Sequence, residues 1–314
     1  MEKVIEVKNL QKTYKLAKGK ELLAVRNISF DVHKGEIFGI LGPNGAGKTT
    51  TLEIVECLKP QTSGTIKVLG FDNLKEQNEI KKRIGVQLQS SQYLHHLSLG
   101  ELIDLFSSFY HRGSSSSSER ISLLQMVGLE EKENEEFSNL SGGQKQRFAI
   151  AISLVNKPDI LFLDEPTTGL DPKARHDLWQ LIKKINTTGI TIVMTTHYME
   201  EAEFLCHRVA IMDQGKILEI DEPKKLIDRM SETTQISFFS ENQIQEDIFA
   251  SIPEIKKIHS DYPKVILEIT SLDKISAVVD LLKKHNILFY GFTVKTATLE
   301  DVYLQLTGKE YEEE

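Results

Sequence analysis

Residues 42–49 read GPNGAGKT, a complete match to G-x-x-x-x-G-K-S/T, and no other stretch restricts the fold of this chain as tightly. The apolar run 36–41 precedes the loop and the helical pattern TLEIVECL follows it. Strand, glycine loop and helix therefore come in the order a phosphate cradle needs. The glycines let backbone N–H groups close around phosphate oxygens, and the helix turns its positive end on them. Lys48 is placed to reach the outer phosphates and the Thr49 hydroxyl to ligate Mg²⁺. Gly42, Pro43, Asn44, Gly45, Ala46, Gly47, Lys48, Thr49 and Thr50 are thus candidate nucleotide-binding residues. The loop indicates a nucleotide but not the reaction.

The alternation of strands and helices continues downstream. ILFLD at 160–164 reads as a buried strand, followed by a helix over 172–186, a strand over 190–195 and a helix over 199–205. A strand pair over 209–220 turns at Gln214 and Gly215. This order predicts an α/β domain with a largely parallel sheet. SGGQKQRFAIAISLV opens another helix, 72–112 is helical and polar, and the serines of 114–118 read as a loop without a packing role. Past Met230 the pattern becomes β-α-β-β-α-β plus a final helix, TLEDVYLQLTG, which is the split βαβ order of ferredoxin-like α+β modules. The expected domains are 1–230 and 231–314, with no internal repeat linking them.

The 314 residues give room for two such domains, and 40% hydrophobic with 27% charged residues is a globular balance. No run approaches the roughly 18 apolar residues of a membrane-spanning helix, and the start, MEKVIEVKNL, lacks the basic and apolar regions of a secretory signal. The chain is therefore expected to stay in the compartment where it is made. Two cysteines, Cys57 and Cys206, cannot make a disulfide framework. Residues 1–230 carry 30 Lys+Arg against 31 Asp+Glu, while 231–314 carry 8 against 15. A net charge of −8 with no basic stripe argues against a nucleic-acid partner, because phosphate neutralisation dominates such binding.

Two further motifs carry chemistry. Asp164 and Glu165 end the strand at 160–164, where the first carboxylate could hold Mg²⁺ opposite Thr49 and the second could polarise an attacking water. Leu140 precedes Ser141, Gly142, Gly143 and Gln144 at the start of a helix, a second glycine-rich anion site with a hydroxyl donor and free N–H groups. A simple helix N-cap reads the same residues without a ligand. One nucleotide does not need two cradles from one chain. The economical reading is that the second serves the nucleotide of a neighbouring subunit.

With LSGGQ added, residues 1–230 resemble the ATP-binding subunit of an ABC transporter. The ordered set comprises Tyr14, the loop 42–49, Gln89 of IGVQLQ, LSGGQ at 140–144, Asp164 with Glu165, Asp171 of GLD and His197. The resemblance implies a P-loop NTPase fold of ABC type that hydrolyses ATP with Mg²⁺. It implies that Tyr14 stacks on adenine and that Glu165 is the general base. His197 would bond the γ-phosphate, Lys48 would act with these two, and Gln89 would reach Mg²⁺ and the attacking water. Thr49, Gln89 and Asp164 form the implied metal set, and Ser141, Gly142, Gly143, Gln144 and Asp171 the implied contacts across a homodimer. Gln87, on the same strand face, competes with Gln89; a half-buried strand tyrosine and a loop histidine are the plain alternatives for Tyr14 and His197; and Asp171 can N-cap the helix at Pro172.

The tail from 231 is similar to the accessory domain of drug- and antibiotic-export ATPases. The resemblance thus implies an export subunit, peripheral on the cytoplasmic face of the membrane, working through a separate integral permease. Residues 90–105, with the exposed-looking SSQYLHHLS, are the expected permease contact. A soluble ABC-type ATPase acting on ribosomes or DNA is the other class considered. It usually has two nucleotide domains or a coiled-coil insertion, and neither is legible here.

Overall fold

The computed structural model describes residues 2–87, 93–94, 96–110, 116–230, 234–270 and 272–308. The chain divides into two compact units, Met1–Pro223 and Lys224–Glu314, so the break falls seven residues before the boundary read from composition. In the first unit, β1 (Lys3–Lys15), β2 (Glu21–His33), β3 (Ile37–Leu41), α1 (Lys48–Val55), β4 (Ser63–Val68), β5 (Phe71–Asp72), α2 (Gln77–Lys81) and β6 (Ile84–Gln87) come first. They are followed by α3 (Leu99–Phe109), α4 (Ser117–Val127), α5 (Gly142–Ser153), β7 (Ile160–Asp164), α6 (Pro172–Asn186), β8 (Thr191–Thr196), α7 (Met199–Leu205), β9 (Arg208–Asp213) and β10 (Lys216–Asp221).

Two sheets share one core. The antiparallel sheet runs β2-β1-β4-β5 and the larger one β10-β9-β3-β8-β7-β6, parallel except for the β9–β10 hairpin. β3, β7 and β8 are buried at every position, which is why β3 and most of β7 read as continuous apolar runs rather than alternating ones. Their register aligns Leu41 with Thr196 and Asp164 with Thr195, so three carboxyl-terminal strand ends meet at one edge. Ligands of open α/β sheets bind at such an edge.

Helix α4 is tied to α3 and to the segment that follows α4 by Arg120, which bonds Asp104 at 3.1 Å and Glu133 at 2.8 Å. The serine-rich stretch departs from its sequence reading within the described residues. Ser116 caps α4 in a reciprocal capping box with Glu119, and Ser117 and Ser118 lie in its first turn. A serine run reads as a loop because serine is a weak helix former within a helix and favourable only at the cap.

The second unit holds α8 (Pro223–Met230, beginning at the junction), β11 (Thr234–Ser240), β12 (Ile255–Asp261), β13 (Lys264–Ile269), α9 (Ile275–Lys284), β14 (Phe289–Lys295) and α10 (Leu299–Thr307). Its sheet is antiparallel throughout, in the order β12-β13-β11-β14. This is the split βαβ topology expected from the sequence. The first crossover differs, being a 3-10 helix over Glu246–Ser251 rather than an α-helix over NQIQEDIFASI. Ile244, Phe249 and Ile252 all reach the core from this segment, and Pro253 follows. That spacing and the short length leave tertiary burial, not helix propensity, to set the local backbone.

Candidate functional site

The loop between β3 and α1 is built on two glycines that no other residue could replace. A Cβ at Gly42 would stand 2.1 Å from the Met212 carbonyl oxygen, and one at Gly47 2.5 Å from that of Ala24, where φ is also +101°. The cavity above the loop measures about 500 Å³. It is lined by Tyr14, Asn44 through Thr50, and Glu165, together with Arg26 and the Gln214–Gly215 turn of the β9–β10 hairpin. Arg26 and the hairpin turn were not legible as site residues: β2 and the hairpin reach the loop only through the fold, Arg26 N–H donating to the Gly215 carbonyl at 2.7 Å. Tyr14 is half-buried on β1, with the Lys12 ammonium 5.0 Å from its ring.

Lys48 is 4% exposed and donates to the carbonyls of Gly42 (2.8 Å) and Pro43 (3.2 Å), with Glu165 Oε1 at 3.2 Å. Burial lowers its pKa, opposed by the charges of Glu165 and Asp164. Thr49 Oγ1 donates to Asp164 Oδ1 at 3.2 Å, and Thr195 donates to the same oxygen. Burial raises the Asp164 pKa, while both hydroxyls act to lower it. Thr195, two residues before His197 on a fully buried strand, gave no sequence signal, since hydroxyls are common at strand ends.

Glu165 sits just past β7 with φ at +45°, the left-handed region, held there by its N–H bonding Thr195 Oγ1 at 3.0 Å. Strain of this sort persists where the surroundings over-determine it. Its Oε2 lies 3.2 Å from His197 Nδ1 and accepts from Thr168 Oγ1 at 3.3 Å. The His197 bond, and after it the Lys48 charge, hold the carboxyl at a pKa of about 2 against its burial. A carboxyl depressed below its ordinary 4.5 stabilises the fold above that pH and loses the contribution as pH falls toward 2. His197→Ala removes the leading cause. The Glu165 midpoint, read by carboxyl ¹³C NMR against Glu165→Gln, is then expected to move up toward 4.5, and an unmoved midpoint would contradict the pairing.

A second cavity of about 370 Å³ is lined by Ser141, Gly142, Gly143, Gln144 and Asp171, with Arg147 beside them, and shares no residue with the first. Ser141 caps α5 in a capping box with Gln144, Ser141 Oγ accepting from Gln144 N–H at 3.3 Å. Asp171 caps α6, accepting from Ala174 N–H at 3.0 Å ahead of Pro172. Both caps are therefore real, and neither uses the Ser141 hydroxyl proton. A Gly143 Cβ would stand 3.2 Å from Ala174 Cβ, which explains how closely α5 approaches α6.

Gln89 falls outside the described residues. The alternative, Gln87, is 2% exposed on β6. Of the residues expected to be exposed near it, Tyr93 instead packs edge-on against Phe106, Phe137 and Phe148, with ring centroids 4.9 to 5.9 Å away. Leu94 is 61% exposed and His96 is exposed, whereas His95 lies outside the described residues. Among the described residues, no helix is long and apolar enough to cross a membrane.

Comparison with known proteins agrees with this geometry. Residues 25–168 match the family model described as ABC transporter. The chain is 33% identical to the linearmycin resistance ATP-binding protein LnrL of Bacillus subtilis, over 98% of this chain and 99% of that one. It is 32% identical to the Nod factor export ATP-binding protein I of Cupriavidus metallidurans, over 99% of each. The dimeric post-hydrolysis structure of the ATP-binding cassette MJ0796 bound to ADP and Pi superposes with a TM-score of 0.63 at 34% identity, covering 69% of this chain and 98% of that one. A loop-and-helix phosphate cradle, a strand-end carboxylate pair, LSGGQ and full-length relatives of this identity lead to one assignment: the chain belongs to the ABC transporter family as an ATP-binding subunit with ATPase activity.

Proposed function

We propose that this subunit drives export through a separate integral membrane permease, on the cytoplasmic face of the membrane, by closing and opening a homodimer around two ATP molecules. The observation that carries the reading is the pair of separate cavities, one built on Lys48 and the other on Ser141, with no shared residue. Each chain then offers half of two composite sites. The dimeric MJ0796 cassette and the two relatives named for linearmycin resistance and Nod factor export support it.

On this reading the loop 42–50 and Tyr14 bind ATP, and Ser141, Gly142, Gly143, Gln144 and Asp171 reach the nucleotide of the partner. Glu165 is the general base. Its carboxylate is held by Lys48 and His197, which lowers its basicity. Phosphate oxygens taken up by Lys48 and His197 would compete with the carboxylate for these two partners and so raise the basicity of Glu165 toward an attacking water. The hard oxygens of Thr49 and Asp164 fit Mg²⁺, and these two, with Gln89, would hold it. Bound Mg²⁺ supplies charge neutralisation between the phosphates.

The permease contact is assigned to residues 90–105. Leu94 and His96 are its test positions, because the Tyr93 side chain is committed to the aromatic cluster. Cysteines at 94 and 96 are expected to cross-link to the membrane protein that co-purifies with this chain, in amounts that change on adding ATP. Absence of cross-links at both positions, with the complex intact, would remove the assignment.

A further inference from the structure

Glu201, on α7, is 0% exposed. Trp179 Nε1–H, from α6, donates to its Oε1 at 2.9 Å. Burial pushes the carboxyl pKa up, and the hydroxyls of Thr196 and Thr167 and the charge of Arg175 oppose that shift. Among the described residues, its other oxygen, Oε2, is buried without a hydrogen-bond partner, as are Thr167 Oγ1 and Arg175 Nε. A buried carboxyl with one unsatisfied oxygen is unfavourable beside an apolar residue of the same volume, so packing alone does not explain it.

Its neighbours come from the three segments that carry the proposed hydrolytic site. Thr196 precedes His197, and its Oγ1 accepts from Tyr198 N–H at 3.0 Å, so that one hydroxyl brackets His197 from both sides. The Tyr198 ring lies 4.1 Å from the His197 ring, and the Arg175 guanidinium 4.2 Å from the Tyr198 centroid. Thr167 follows Glu165 by two residues. Arg175 stands in the first turn of α6, and Asp171, the cap of that helix, accepts its N–H at 2.9 Å.

We propose that Glu201 is a positioning residue for ATP hydrolysis: anchored by Trp179, its carboxyl orients the Thr196 hydroxyl and the Arg175 side chain, and so sets the His197 turn relative to Glu165 and the Asp171 helix. This inference rests on the site roles given above. Thr196 Oγ1 accepts from Tyr198 N–H and keeps its own O–H to donate, so a carboxylate beside it can fix the 196–198 turn. Glu201 touches no reacting atom and acts through its neighbours. The unsatisfied Oε2, Thr167 Oγ1 and Arg175 Nε give the cluster a second set of bonds to form when the segments after Glu165 and before α6 shift.

The test uses the full chain. Glu201→Gln keeps the shape and an acceptor for Trp179 but removes the charge. It is expected to lower kcat for ATP hydrolysis by about 10–100-fold, the scale of a misplaced catalytic geometry, with KM for ATP changed by no more than about twofold. The imidazole ¹⁵N signals of His197 should shift in this variant. In a His197→Ala background, Glu201→Gln should add no further loss. If Glu201→Ala fails to fold, the Gln variant decides. A wild-type kcat in Glu201→Gln, or a full additional loss in the His197→Ala background, overturns the inference alone. Wild-type rates in Glu165→Gln and His197→Ala overturn the underlying site reading, and this inference with it.

Discussion

Replacing Glu165 by Gln is expected to leave ATP bound while lowering hydrolysis by about 10²–10⁴-fold, the usual contribution of a positioned general base. The isostere keeps hydrogen-bond capacity toward His197 and Thr168 but cannot take a proton from water. It also removes a buried negative charge beside the place proposed for the γ-phosphate. The ATP-bound dimer should therefore accumulate, visible as a shift to dimer on size exclusion with ATP and Mg²⁺. Lys48→Ala should behave oppositely and lose nucleotide affinity itself, because the cation that now bonds the Gly42 and Pro43 carbonyls is the one placed for phosphate. Equilibrium ATP binding and single-turnover hydrolysis separate the two. Wild-type turnover in Glu165→Gln, or loss of ATP binding in it, would show that the base lies elsewhere.

Mixing a Lys48→Ala chain with a Ser141→Arg chain, each inactive alone, is expected to restore about a quarter of wild-type sites. Random association makes about half of the dimers mixed, and in each of these one composite site collects both lesions while the other collects none. The prediction follows from the two cavities sharing no residue. Ser141→Arg fills the glycine-rich cradle with a long cation, although arginine is a poor N-cap, so the α5 cap is lost as well. Thermal unfolding of that chain controls for this. Recovery counted by single-turnover hydrolysis avoids masking by cooperativity between sites. No recovery, with mixed dimers shown to form, would mean that each site is built within one chain.

Much of this protein is legible in its sequence. A phosphate loop needs glycine where backbone approaches backbone, and Gly42 and Gly47 stand where a Cβ would collide with the Met212 and Ala24 carbonyls. Buried parallel strands favour apolar runs, and β3 and most of β7 have them. In the second unit, period-2 and helical patterns alternate in an order that leaves few topologies, and the antiparallel order β12-β13-β11-β14 is the one found. These are local constraints, written in neighbouring residues.

What the tertiary structure alone decided is the set of partners across long sequence distances. The Lys48–Glu165 ion pair joins the start of α1 to the end of β7. The His197–Glu165 bond and the Thr195–Asp164 bond depend on β7 and β8 being adjacent in one register. Arg26 and the Gln214–Gly215 turn enter the nucleotide cavity only because β2 and the β9–β10 hairpin fold over the loop. Tyr93 reads as exposed among polar neighbours, but three phenylalanines from separate elements pack edge-on with its ring. Glu201 reads as one acid in a charged helix, MEEAEFL, until Trp179 and the threonines enclose it. Spacing along a chain specifies which groups can share a strand or a helix face; which strand ends and helices then meet is fixed by core packing and sheet register, and the pKa values of Lys48, Asp164 and Glu165 follow from that meeting.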